Sequence, residues 1–352
     1  MGEMLGASGK VIDVDLTGKT WRALKVPDEY TAGYIGGKGL GLRLLYDRFG
    51  QKCGQVEPLS PENALCVMTG LLAGTGAPCS ARFAAVAVSP LTDIFCSCSC
   101  GGPFGIALRT AGWDGLIVSG KSESPVMIEV TPEGAAFHDA GNMWGKGISE
   151  SRAAYTLDRK DGDLIIGPAG ENLVRYANIA SGHRFFGRGG LGAVMGAKNL
   201  KAVIARGGAF KVLPAEPETF EKAKKRAAAY LKRNSFIKLY QNYGTPANVS
   251  FGIKAGYLPV RNFRDRTDPA AAAYSGEAMA ERYSTKHSTC VPCSILCGHK
   301  GTYPDGKVRQ IPEYETVGVF GANLGILDPD RIGEWNETAN DLGMDTISAG
   351  VT

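Results

Sequence analysis

The sequence predicts an α+β protein: an N-terminal β-rich domain of two packed sheets with inserted helices, followed by the start of a mainly helical domain. Short apolar runs bounded by glycine and polar turns fill the first two hundred residues. No long helix-period pattern appears before residue 216. Past that point the composition turns to an alanine- and lysine-rich segment, Phe220–Leu239, with no internal glycine or proline. The change places a domain boundary near residue 212, giving domains 1–211 and 212–352.

The expected strands, in order, are Val11–Leu16, Ala64–Met68, Phe83–Val88, Leu116–Gly120, Val126–Val130 and Leu164–Gly167, with a more ambiguous run ending in Lys201–Ala205. Their close spacing suggests an antiparallel meander or paired sheets. Lys38–Phe49 reads as an inserted helix. Pro217-Glu218-Thr219 leads into a basic helix expected over Phe220–Leu239. Asp328 as polar cap and Pro329 at the first position start another, in which Ile332, Trp335, Ala339 and Leu342 recur at helical spacing and Gly343 supplies the stop.

Hydrophobic residues are 44% and charged residues 21%, ordinary for a globular protein. The net charge of +4 is too small to argue for nucleic acid or membrane binding. No stretch reaches the roughly 18 apolar residues of a membrane span. The first ten residues lack the layout of a secretory signal, so nine cysteines point to metal ligation or buried thiols in a cytoplasmic, reducing compartment.

Cys290-Val-Pro-Cys293-Ser-Ile-Leu-Cys297 is the most informative segment. Three thiolates at a two-then-three spacing on one short loop can turn toward a single inorganic cluster. A structural zinc site is the alternative, because His287 or His299 would complete a Cys3His set. A fourth cluster ligand is not found downstream before Thr352. Cys96, Cys98 and Cys100 alternate as one face of a strand does, and read as buried small residues.

Segments of small residues and glycine beside arginines are candidate anion cradles: Pro78–Arg82, Ser99–Gly105 and Arg184–Gly192. Small residues let backbone N–H groups approach an anion, and guanidinium forks grip phosphate oxygens at two points. None has the spacing of a Walker or dinucleotide loop, and tight turns alone explain each segment equally well.

The run from Arg184 to Gly192, the cysteine triplet, Pro312-Glu313-Tyr314-Glu315, Gly343-Met344-Asp345-Thr346 and Gly36-Gly37-Lys38-Gly39 together resemble the tungsten-containing aldehyde:ferredoxin oxidoreductase family, over essentially all 352 residues. The resemblance implies a tungsten (or molybdenum) bis-pterin, a [4Fe–4S] cluster and a bridging Mg2+. Residues 1–211 would be the pterin-binding domain, and 212–352 an incomplete helical domain carrying the cluster cysteines. Arg82, Ser99, Gly101, Gly102, Arg184, Phe185, Gly187 and Arg188 would contact the pterin phosphates and magnesium. Ser99 stands where some members have asparagine, and Asn340 where the motif can have aspartate. Met344 and Asp345 would touch a pterin ring, while Cys290, Cys293 and Cys297 would hold iron. Glu315, or Glu313 on the same face of a short extended stretch, resembles the carboxylate beside the metal, a buried general base.

The implied activity is oxidation of an aldehyde with water to a carboxylic acid, with electrons passing to ferredoxin or an iron–sulfur subunit, in a homodimer or larger complex, with no nucleic-acid or membrane partner. The fourth cluster cysteine and the remaining active-site residues would then lie beyond residue 352. Two alternatives stay open: a catalytic subunit of a tungsten-type benzoyl-CoA reductase complex, and a non-catalytic zinc-stabilised binding module.

Overall fold

Residues 11–14 and 116–118 alternate between two buried faces, and their strands lie side by side. The computed structural model describes residues 1–352. Lys10–Asp15 pairs in parallel with Gly115–Ser119 and in antiparallel fashion with Thr20–Lys25. Leu65–Thr69, Phe83–Val88 and Phe95–Cys100 complete a six-stranded sheet by antiparallel pairing, with Phe95–Cys100 on its edge. One face, carrying Val11, Cys66, Met68, Val86 and Ile117, buries Leu40, Leu44 and Leu45 of helix Gly37–Phe49. That helix comes so close that a Cβ at Gly41 would lie 3.1 Å from a methyl of Val86.

The other face, with Ile12, Val14, Val67, Ala85 and Val118, joins the main core. A second six-stranded sheet contributes Ile128, Val130, Leu164, Ile179, Phe186 and Val203 to the same core. Its strand order is Arg184–Phe186, Ile179–Ser181, Gly162–Ile165, Leu200–Ala205, Val126–Thr131, Gly134–Asp139. Strands buried on both faces, such as Leu65–Thr69 and Phe83–Val88, read as continuous apolar runs, as sheets covered on both sides require. The α+β class and the paired sheets are as the sequence indicates. The meander is not: each large sheet contains one parallel pairing, the second being Val126–Thr131 with Leu200–Ala205.

The chain forms two compact units, residues 1–221 with 341–344, and residues 222–340 with 345–352. The second unit includes helices Ser235–Tyr243, Asn248–Ala255, Gly276–Tyr283, Tyr314–Phe320 and the body of Pro329–Leu342. It also holds a three-stranded antiparallel sheet of Lys286–His287, His299–Thr302 and Val308–Gln310. The single helix expected over Phe220–Leu239 is two helices, Pro217–Arg233 and Ser235–Tyr243. Asn234 breaks it: its backbone is extended, and its side chain accepts the N–H of Phe236 as an N-cap.

Candidate cofactor site

Arg82 immediately precedes strand Phe83–Val88 and is exposed. Its guanidinium donates to the carbonyl of Ser99, 3.4 Å away, on the neighbouring edge strand. Register pairs Ala84 with Ser99 and Phe83 with Cys100. Cys100 is buried and Cys98 packs on the main core, whereas Ser97 and Ser99 are exposed. An edge strand with small hydroxyl residues on its open side leaves main-chain groups accessible to a ligand.

After Cys100 the chain turns through Gly101 and Gly102 into helix Phe104–Thr110. Gly102 has φ +96°, and a Cβ there would lie 2.4 Å from the carbonyl oxygen of Ser181. Only glycine fits such a left-handed backbone at that approach. The Ser181 hydroxyl accepts the N–H of Phe104 at 3.3 Å, fastening the hairpin Ile179–Ser181/Arg184–Phe186 to this turn. Phe186 is buried edge-on to Phe83, centroids 5.0 Å apart, while Arg184 and Phe185 stay half-buried.

Asp163 holds the hairpin from below. Its buried carboxylate accepts from Arg152 (2.7 Å), from the Tyr155 hydroxyl (2.7 Å) and from the Gly182 N–H (3.2 Å). Burial, reinforced by the carboxylate's charge, pushes the Tyr155 phenol well above its ordinary range, so it stays a donor. Asp163 and Ser181 were not legible as site residues, because their contacts come from tertiary pairing and no local motif marks them.

Beyond the hairpin, Gly187 faces open space where a Cβ would meet nothing within 4 Å. Arg188 is exposed, and its charge pulls the Cys96 thiol downward against the stronger upward push of burial. Gly189 (φ +86°) packs so tightly that a Cβ would sit 2.3 Å from the Cys96 sulfur. Its carbonyl accepts the Ser89 hydroxyl at 2.7 Å. Met344 joins the same unit: Ala177 pairs with it by a β-bridge, and the Asn178 side chain donates to its carbonyl at 2.8 Å. The structure therefore ties the Arg82–Ser99, Gly101–Gly102 and Arg184–Arg188 segments to one another, and Met344 to the strand leading into the hairpin. Gly187, open where a Cβ would sit, and the exposed Arg82 and Arg188 are chemically suited to phosphate groups of a large cofactor.

In the second unit, Cys290, Cys293 and Cys297 are half-buried on the loop closed at its base by the pair His287–His299. The Val291–Pro292 peptide is cis, and Leu296 has φ +53°. No three His, Cys, Asp or Glu side chains are gathered at metal-ligand distance; the loop offers three thiol donors by spacing, the chemistry of an iron–sulfur or zinc site. His299 is buried, with its ring nitrogens facing the carbonyls of Cys297 (3.3 Å) and Gln241 (3.0 Å). A ring engaged with main-chain oxygens on both sides is not turned toward the thiols, which weighs against a Cys3His set using it.

Tyr314–Phe320 is a helix, not the short extended stretch expected. Pro312 fixes the entry and Glu313 is its N-cap residue, so Glu315 falls in the first turn. Glu315 is exposed rather than buried. Glu313 is half-buried and accepts the Thr245 hydroxyl, which in turn accepts the Tyr314 N–H at 3.0 Å. Asn340 is half-buried on helix Pro329–Leu342. Asp345 caps helix Thr346–Ala349, accepting from Ile347 N–H (3.1 Å) and the Ser348 hydroxyl (2.7 Å).

Paired β-sheets with glycine–arginine turns in the first unit, and a three-cysteine loop in the second, define a two-unit α+β class. A family model described as "Aldehyde ferredoxin oxidoreductase, N-terminal domain" matches residues 11–207, and its companion "domains 2 & 3" matches residues 222–352. A tungsten-containing aldehyde ferredoxin oxidoreductase of Pyrococcus abyssi is 39% identical over 99% of this chain and 58% of its own length. An "aliphatic sulfonate oxidoreductase, WOR-like subunit" of Pyrococcus furiosus is 30% identical with the same coverage. Among solved structures, the active site complex BamBC of benzoyl coenzyme A reductase with 1,5 dienoyl-CoA matches at TM-score 0.86 and 28% identity, over 99% of this chain and 55% of that one. The chain belongs to the aldehyde ferredoxin oxidoreductase family. It spans 58% of the length of the curated relatives it matches.

Proposed function

We propose that the protein is a tungsten-dependent oxidoreductase that converts an aldehyde and water to a carboxylic acid, releasing two electrons and two protons. The glycine–arginine cradle built from Arg82, Ser99, Gly101, Gly102, Arg184, Phe185, Gly187 and Arg188 carries the reading. In it the arginines and exposed N–H groups hold the phosphates of a bis-pterin and their Mg2+, and Met344, Asn340 and Asp345 take part in pterin recognition. When bound, the tungsten (or molybdenum) centre supplies a two-electron acceptor and the [4Fe–4S] cluster a one-electron relay.

Within this chain, Asp163 orients the arginine-bearing hairpin and Cys290, Cys293 and Cys297 anchor the cluster. Glu315 is the base that takes a proton from water or the hydrated aldehyde, with Glu313 the alternative. Electrons leave to ferredoxin or an iron–sulfur subunit, in a homodimer or larger assembly in the cytoplasm. In this reading residues 1–211 bind the pterin and 212–352 begin the helical domain. No helix is long and apolar enough to cross a membrane. The test is anaerobic, aldehyde-dependent reduction of a viologen dye by the full-length gene product. Turnover accompanied by tungsten and iron is the expected result, and zinc alone with no turnover would overturn it.

A second reading has a specific observation behind it. The 0.86 TM-score to the benzoyl coenzyme A reductase complex supports reduction of an aromatic acyl-CoA on the same cradle. The higher identity to the aldehyde ferredoxin oxidoreductases favours the first, and aryl-CoA reduction without aldehyde turnover would reverse the choice.

A further inference from the structure

The hairpin under the thiol loop sets two lysines against each other. Lys286 pairs directly with Lys300, and both are exposed. Like charges facing across a strand pair destabilise it, so the local fold gains nothing from this arrangement. One pair further along is His287–His299, and beyond it the loop carrying Cys290, Cys293 and Cys297.

A neighbouring helix is tied to the same loop and carries a third cation on the face that meets it. Gln241 of Ser235–Tyr243 donates its side-chain amide to the Ser294 carbonyl at 2.9 Å, in the middle of the triplet. Exposed Lys238 lies one turn earlier on that helix, on the face i, i+3 from Gln241. Negative charge is excluded from these segments. Residues 284–304 contain no carboxylate, and residues 222–264 contain ten lysines and arginines with no aspartate or glutamate, in a chain holding 35 acidic residues overall. Exposed Val291, on the thiol loop itself, supplies apolar contact beside the charges.

We infer that Lys286, Lys300 and Lys238 form the docking surface for a small acidic iron–sulfur electron carrier, centred on the thiol loop. The inference rests on the cluster reading above and adds to it where the carrier binds. Opposite charge on the carrier would steer encounter and place its redox centre against the loop, while Val291 makes the close contact. A nucleic acid would also be drawn to the charge, but not to a surface tied by hydrogen bonds to a cysteine loop.

The experiment compares the full-length, metal-loaded enzyme with Lys286→Glu and with Lys286→Glu/Lys300→Glu. Reduction of an acidic ferredoxin is followed beside reduction of benzyl viologen, across a salt series. The single variant sets Glu opposite Lys300, a favourable cross-strand pair, so the hairpin stays at least as stable as the parent. It should nonetheless lose ferredoxin reduction several-fold at low ionic strength. The double variant should lose about tenfold or more, with dye reduction retained and the parent's salt dependence flattened. Ferredoxin rates equal to the parent's, or an equal fall with dye and ferredoxin, would each overturn the surface. A parent that holds no iron and reduces no dye would instead refute the cluster reading itself.

Discussion

Gly102 and Ser181 touch through their backbones: a Cβ on Gly102 would fall 2.4 Å from the Ser181 carbonyl oxygen. This contact joins the turn after the edge strand to the arginine-bearing hairpin, and both halves of the cradle depend on it. Gly102→Ala would also have to adopt φ +96°, so we expect a loss of at least ~2 kcal/mol in urea unfolding. Gly187→Ala is the contrasting case. Its Cβ meets nothing within 4 Å, so stability should stay within ~0.5 kcal/mol while a methyl enters the space proposed for the pterin. Tungsten content of the purified Gly187→Ala protein should fall; parental tungsten retention would remove Gly187 from the cradle.

The thiol loop makes a separate prediction. Cys293→Ser replaces the middle thiol by a poor iron ligand, leaving Gln241 on Ser294 and His299 on Gln241 undisturbed. Iron and acid-labile sulfide should drop sharply, together with the brown absorbance near the visible range typical of such clusters, while far-UV dichroism is unchanged. Retention of zinc at one per chain, with no iron in the parent, would favour the structural-zinc alternative.

The sequence exposed those parts of the fold whose signals are local. Phe83–Val88 and helix Pro329–Leu342 stand where a bounded apolar run and the Asp328–Pro329 start place them. Thr20–Lys25 escaped because it is a sheet-edge strand with almost every residue exposed, and a strand with no buried face leaves no period-2 trace. The parallel pairing of Lys10–Asp15 with Gly115–Ser119 joins residues about a hundred positions apart, which no window of sequence can register. At the site the cysteine spacing and the glycine–arginine runs were legible. Asp163 was not, because its three partners are Arg152 at a helix end, Tyr155 in the bend that follows and the hairpin's turn glycine, which no local motif links.

Lys198 gives a pH signature. It is buried, and its ammonium donates to the carbonyls of Pro61 (3.1 Å) and Gly120 (3.2 Å) with no carboxylate in contact. Burial, with Arg48 adding to it, pulls it down to about 7. Above that pH the folded state has released a proton that the unfolded chain keeps until the ordinary lysine range. The unfolded state then binds more protons, so stability rises as pH increases through this window and is lowest below it. The slope should approach ~1.4 kcal/mol per pH unit for one proton. Lys198→Met should lack this increment between pH 7 and 9.5 in thermal melts; identical slopes in variant and parent would show that Lys198 stays charged throughout.

The two glutamates at the helix entry separate by what they touch. Glu313 accepts the Thr245 hydroxyl, and that hydroxyl accepts the Tyr314 N–H, so Glu313 helps to fasten the first turn of Tyr314–Phe320. Glu315 is exposed in that turn, and nothing in the fold requires its charge beyond a small favourable interaction with the helix N-terminus of roughly 0.3–1 kcal/mol. Glu315→Gln keeps size and polarity but removes the base. If Glu315 takes the proton, kcat for aldehyde oxidation should fall by about 10²–10⁴ with melting little changed and tungsten retained. Glu313→Gln should keep the Thr245 contact through its amide oxygen and leave kcat within a few-fold of the parent. The reverse pattern, a large kcat loss in Glu313→Gln and parental turnover in Glu315→Gln, would move the base to Glu313 and make its hydrogen bond with Thr245 part of the reacting site.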